Sequence, residues 1–116
     1  YLAFGTPGGD QQDQWALHAF LRHVHHGMNL QEACDAPAFY SLHIPSSFYP
    51  REWSAGHLAV EAGFPHKTIE ALNDRGHQIE IYPQWGQYNS ITMATRRDGI
   101  LRAGASPRRA CYAIGR

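Results

Sequence analysis

The residues with the most obvious capacity for chemistry are two consecutive glycines, Gly8 and Gly9, in the run Thr6-Pro7-Gly8-Gly9-Asp10. A glycine pair between a strand and a helix has two physical uses. One is a tight turn that needs positive φ or close backbone approach. The other is an anion site, in which amide N–H groups at a helix start, aided by the helix dipole, point at negative charge. Pro7 fixes φ just before the pair, so both amides can face a single oxygen. No Gly-Lys-Ser/Thr follows and no GxGxxG surrounds them. Two adjacent amides without a lysine suit an oxyanion better than a triphosphate.

Other reactive side chains form weaker patterns. His18, His23, His25 and His26 sit in or beside the first helical segment. His18 and His25 share a face at i, i+7, and His23 and His26 are at i, i+3. Helical zinc sites prefer i, i+4, so these read as solvated polar residues rather than metal ligands. Trp15, Trp53, Trp85 and the tyrosines of 40–49 and 82–88 can line an acceptor groove, but core and loop packing is the default. Glu32 and Asp35 have no second carboxylate placed opposite them for acid–base work. Cys34 and Cys111 are too few for a disulfide framework and are expected to be two buried thiols.

The positioning elements can be read from periodicity. "YLAFG" ends a strand, and Asp10 is the expected N-cap of a helix with Asp13 in its first turn. Leu17, Phe20, Leu21, Val24 and Met28 recur at helical spacing and are expected to face a core, with Gly27 as the C′ residue. A short helix, "LQEACDA", stops before Pro37. One short strand and a long loop fill 38–56, and "HLAVEAGF" follows as a strand. Pro65 opens a helix that Gly76 closes. "QIEIYP" alternates with Ile79 and Ile81 on one face, and "SITMATRRDGILRAG" is a hairpin turning at Asp98-Gly99. The fold class is α+β, with a largely antiparallel C-terminal half.

At 116 residues the chain is one domain at most, and its 43% hydrophobic content argues against disorder. Ten Lys and Arg balance ten Asp and Glu, which argues against nucleic acid or an anionic membrane surface as a partner. Arg96, Arg97, Arg102, Arg108 and Arg109 make the C-terminal part locally basic, read as a solvated edge. No apolar run approaches the ~20 residues of a membrane span.

Three blocks together, "GTPGGDQQDQW", "HGMNLQEACDAPAF" and "GASPRRACYAIGR", resemble in order the C-terminal part of the gamma-glutamyltranspeptidase family. The resemblance implies an N-terminal-nucleophile hydrolase: an α/β/β/α sandwich of mainly antiparallel strands, formed by autocleavage of a precursor. It implies cleavage of gamma-glutamyl amides such as glutathione, with the acyl group passed to water or an amino acid. The nucleophile of such enzymes is an N-terminal Thr whose own amine is the base. The Pro-Gly-Gly glycines, carried over as Gly8 and Gly9, supply the oxyanion hole through their backbone amides. No metal or organic cofactor is implied.

Residue 1 is Tyr, and Thr6, Thr68, Thr92 and Thr95 are internal. The resemblance therefore makes residues 1–116 the last two thirds of a small subunit, an incomplete domain. Its implied partners are the remainder of the small subunit and the large subunit of the same precursor, and its implied ligand is a small gamma-glutamyl substrate. Detached from a layered sandwich, such a segment is expected to expose an apolar sheet face and to aggregate. Two departures stand out. The tail reads Ala-Ser-Pro-Arg where relatives often carry Asp-Pro-Arg, so a salt link from that Asp is absent. The loop "QWGQYNS" matches its counterpart loosely. Two alternatives stay open: a related acylase acting on beta-lactam side chains or poly-gamma-glutamate, and a non-catalytic interaction module. Compartment cannot be read, since such relatives are both exported and cytoplasmic.

Overall fold

The computed structural model describes residues 1–87 and 89–115. They form two compact units, one of residues 1–36 with 89–115 and one of residues 37–87.

In the first unit, β1 (Leu2–Gly5), β5 (Thr92–Arg97) and β6 (Ile100–Ala105) make a three-stranded antiparallel sheet in the order β1-β5-β6. The hairpin forms where the turn chemistry requires it. Asp98 and Gly99 both take positive φ, 53° and 75°, and close a two-residue loop between Arg97 and Ile100. Helices α1 (Gln12–Val24) and α2 (Leu30–Asp35) lie in the same unit. Short α2 is held by a full capping box: the Asn29 side chain accepts from Glu32 N–H, and the Glu32 carboxylate accepts from Asn29 N–H at 2.7 Å. Glu32 is thus a helix cap. Ala19, Leu30, Ala33, Cys34, Ile91 and Met93 form the core, with Leu2 and Met28 against it.

Three details of α1 differ from the sequence reading. The N-cap position is Gln11 without a side-chain cap bond, so Asp10 precedes the helix rather than capping it. The C-cap is His25, and Gly27 turns the chain two residues further on at φ 69°. Trp15 and Ala19 are the buried residues, whereas Leu17 and Val24 are 54% and 45% exposed. At 100° per residue Leu17 and Val24 lie opposite Trp15 and Ala19, so the helix carries two apolar arcs and the small-plus-aromatic one faces the core.

Arg108 also departs from its expected place in a solvated basic edge. Its guanidinium donates to the carbonyls of Cys34 at 2.7 Å and Ala36 at 2.8 Å, and Arg22 reaches the carbonyls of Ala33 and Ala36 at 3.4 and 3.3 Å. Two cations thus occupy the negative end of α2. Ser106, where the resemblance leads to an expected Asp, is buried and its hydroxyl accepts from both the backbone N–H and the guanidinium of Arg108, each at 3.3 Å. A neutral acceptor stands in for the missing carboxylate.

In the second unit, β2 (Phe39–Ser41), β3 (His57–Glu61) and β4 (Gln78–Tyr82) form a sheet in that order, with α3 (His66–Asp74) between the last two. β2 pairs antiparallel with β3, but β3 and β4 are parallel. The reason is the connection: α3 carries the chain back to the starting edge, as parallel neighbours require. Three of the four strand pairings are antiparallel. Buried Glu61 accepts from the N–H groups of Ala38 (3.0 Å) and Gln87 (3.2 Å), pinning the start of β2 and the end of the 83–87 loop to β3.

Unit 1 tolerates no bulk at Gly104. A Cβ there would stand 2.8 Å from the backbone carbon and oxygen of Leu30, where α2 begins on the sheet. Gly104→Ala is expected to destabilise the protein by about 1–3 kcal/mol through overpacking. Denaturant titration of the two proteins checks this; unchanged stability would show that α2 can lift from β6 without cost.

Candidate functional site

The glycine pair lies in residues 6–11, between the end of β1 and the start of α1. Gly5, paired with Thr92, is the last residue of the β1–β5 ladder, so the turn departs from a fixed point. Gly8 has φ 140°, a conformation L side chains rarely adopt, and a Cβ there would sit 2.9 Å from the ring edge of Trp15. The buried indole of Trp15 therefore floors the turn from one helical turn into α1. The backbone N–H of Gln12 donates to the Gly9 carbonyl at 3.1 Å, and its side-chain amide donates to the Thr6 carbonyl. The Thr6 hydroxyl donates to the Pro7 carbonyl at 3.2 Å. Among the described residues neither the Gly8 nor the Gly9 N–H is engaged in a hydrogen bond. The carbonyls of Thr6, Pro7 and Gly9 are thus engaged within the turn, while the two adjacent glycine N–H groups are not.

The gamma-glutamyltranspeptidase profile matches residues 1–115. The chain belongs to the gamma-glutamyltranspeptidase family. It is 32% identical over 120 residues to the glutathione hydrolase-like YwrD proenzyme of Bacillus subtilis (strain 168), covering 98% of this chain and 21% of that protein. It is 33% identical over 106 residues to the acylase ACY 1 proenzyme of Pseudomonas sp. (strain V22), covering 90% of this chain and 16% of the acylase. The solved structure of LmbA2991HD superposes with a TM-score of 0.90 at 43% identity, over 99% of this chain and 21% of that one. The mixed helix–strand fold with antiparallel sheets recurs in solved gamma-glutamyltranspeptidases, as the α+β reading requires. The chain spans between 16% and 21% of the length of these relatives.

The remaining candidates scatter. His25 and His26 are exposed, and the His23 ring nitrogen Nδ1 lies 2.8 Å from the Met28 carbonyl just beyond the helix. His18 is half-buried; burial, then the nearby Arg22 guanidinium, hold its imidazole down at about 4. Among the described residues no three His, Cys, Asp or Glu side chains gather around a common point. Trp15 belongs to the glycine turn, while Trp53 and Trp85 of the second unit are largely exposed, the Trp53 indole N–H donating to the His43 carbonyl. Tyr88 of the "QWGQYNS" loop and Arg116 of the tail lie outside the described residues. Cys34 is buried and its thiol is pushed up to about 11, chiefly by burial and then by Asp35; Cys111 is half-buried. Gln12 carried no signal in the sequence, because its role is a contact back across the turn.

The His18 environment has a measurable consequence. Its folded pKa of about 4 lies below its ordinary 6.5, so between these values the unfolded chain binds the extra proton. The stability contributed by neutral His18 is whole above pH 6.5 and is lost as the pH falls toward 4. Denaturation midpoints across this window are expected to fall less steeply for His18→Gln than for the parent protein; parallel profiles would place the titration elsewhere.

Proposed function

We propose that residues 1–116 are the C-terminal part of the small subunit of an enzyme that cleaves gamma-glutamyl amides, with Gly8 and Gly9 as its oxyanion hole. The observation that carries this reading is the glycine turn: two neighbouring amides, held by pinned carbonyls and a buried indole, in a chain of this family. In the proposed reaction an N-terminal Thr from outside these residues attacks the amide carbonyl, its own amine taking the hydroxyl proton. The carbonyl oxygen becomes an oxyanion in the tetrahedral intermediate and receives the Gly8 and Gly9 N–H groups. Collapse expels the amine, which takes up the proton, and leaves an acyl-enzyme that water or an amino acid resolves. Fixed amides need no reorganisation as charge develops, which is why a rigid turn is useful here. The remainder of the small subunit and the large subunit are the proposed partners, and no cofactor enters the scheme.

A second reading, an acylase of the same chemistry, is favoured by the similarity to the Pseudomonas acylase. The oxyanion turn is common to both, so only the acyl pocket separates them. Initial rates of the full-length protein on a gamma-glutamyl anilide and a glutaryl amide decide the matter: the first reading expects preference for the free alpha-amine, the second for the glutaryl group. Under either reading Gly8→Ala is expected to lower kcat by about 10²–10³. A wild-type rate in that variant would remove the turn from the chemistry.

A further inference from the structure

Two of the bonds that hold the glycine turn come from a single residue. Gln12 is the first residue of α1, so its backbone is fixed by the helix. Its N–H takes the Gly9 carbonyl and its side-chain amide takes the Thr6 carbonyl. Those carbonyls belong to the peptide before Pro7 and the peptide after Gly9, and the N–H groups of Gly8 and Gly9 lie on the two peptides between them. Pro7 supplies one fixed φ inside this span. The glycines supply none, and a glycine pair left to itself samples many orientations. Trp15 packs beneath Gly8 but offers only its ring edge to that face, which limits position without setting the direction of an N–H.

We infer that Gln12 is a positioning residue: its side-chain amide clamps the Thr6 carbonyl and thereby aims the Gly8 and Gly9 amides. The inference rests on the oxyanion reading of those amides. In this scheme Gln12 acts through the two glycine amides and not on the reacting atoms themselves. Its contribution is to convert a flexible turn into a preorganised donor pair, the property on which oxyanion stabilisation depends. Removing the clamp leaves ground-state binding of the substrate intact, since that is made by other groups, and weakens only the interaction realised in the transition state.

The test uses the full-length protein with Gln12→Met and Gln12→Glu, which nearly preserve length; a thioether has no donor, and neither has a carboxylate at neutral pH. With a gamma-glutamyl anilide as substrate, kcat is expected to fall by about ten- to a hundredfold. KM is expected to stay within about twofold, with the thermal midpoint close to the parent's. The double variant Gly8→Ala/Gln12→Met is expected to be no slower than Gly8→Ala alone, because both act on one donor pair. A purely structural Gln12 would instead lower the thermal midpoint and leave kcat unchanged. Wild-type kcat in both Gln12 variants, with Gly8→Ala impaired, overturns the clamp and leaves the oxyanion reading standing. Wild-type kcat in Gly8→Ala as well overturns that reading, and the clamp with it.

Discussion

Everything proposed for this chain hangs on how short the path is from the β1–β5 ladder to the first turn of α1. Gly5 is locked opposite Thr92, Gln12 is locked in a helix, and residues 6–11 must join them. A segment that short reaches its goal only by a sharp reversal, and the reversal needs a residue at φ 140° above an indole. Only glycine fits there without strain or collision. The geometry that forces the glycine thus acts on the same short turn in which the proposed donors lie.

The unit that carries the turn is stiffened by α2, which shares one core with α1 and the sheet. This helix is too short to be stable alone and depends on its ends. Its start is capped by Asn29 and Glu32 and sits directly on Gly104; its final carbonyls receive Arg22 and Arg108. The C-terminal segment is thereby tied by Arg108 to residues more than seventy positions earlier. Ser106 orients that arginine with its hydroxyl, a neutral acceptor. The outer face of the same sheet is different in character. Ala3, Ala94 and Ala103 stand in register across the three strands and are exposed, a smooth apolar row without large side chains.

Local chemistry was legible from the residues alone where it was self-sufficient. Asp98-Gly99, the Pro65 and Gly76 boundaries of α3, and the glycine pair all announce themselves, because the conformations they favour are decided within a few positions. What depended on tertiary partners was not. The apolar spacing of Leu17 and Val24 suggested a core face, but a helix with two apolar arcs does not say which arc the sheet will take. The parallel pairing of β3 with β4 follows from where α3 returns the chain. Arg108 reads as one more surface cation until the carbonyls of α2 are seen in front of it. Gln12 is one of three glutamines within residues 11–14, and nothing in the order of letters separates it from its neighbours.

The most direct test is a crystal structure of the full-length protein trapped as its acyl-enzyme with a slowly released gamma-glutamyl analogue. The account predicts the acyl oxygen within about 2.7–3.1 Å of both the Gly8 and Gly9 nitrogens. The Gln12 side chain should still be bonded to the Thr6 carbonyl in that complex. An acyl oxygen held by other donors, with both glycine amides turned to solvent, would contradict it.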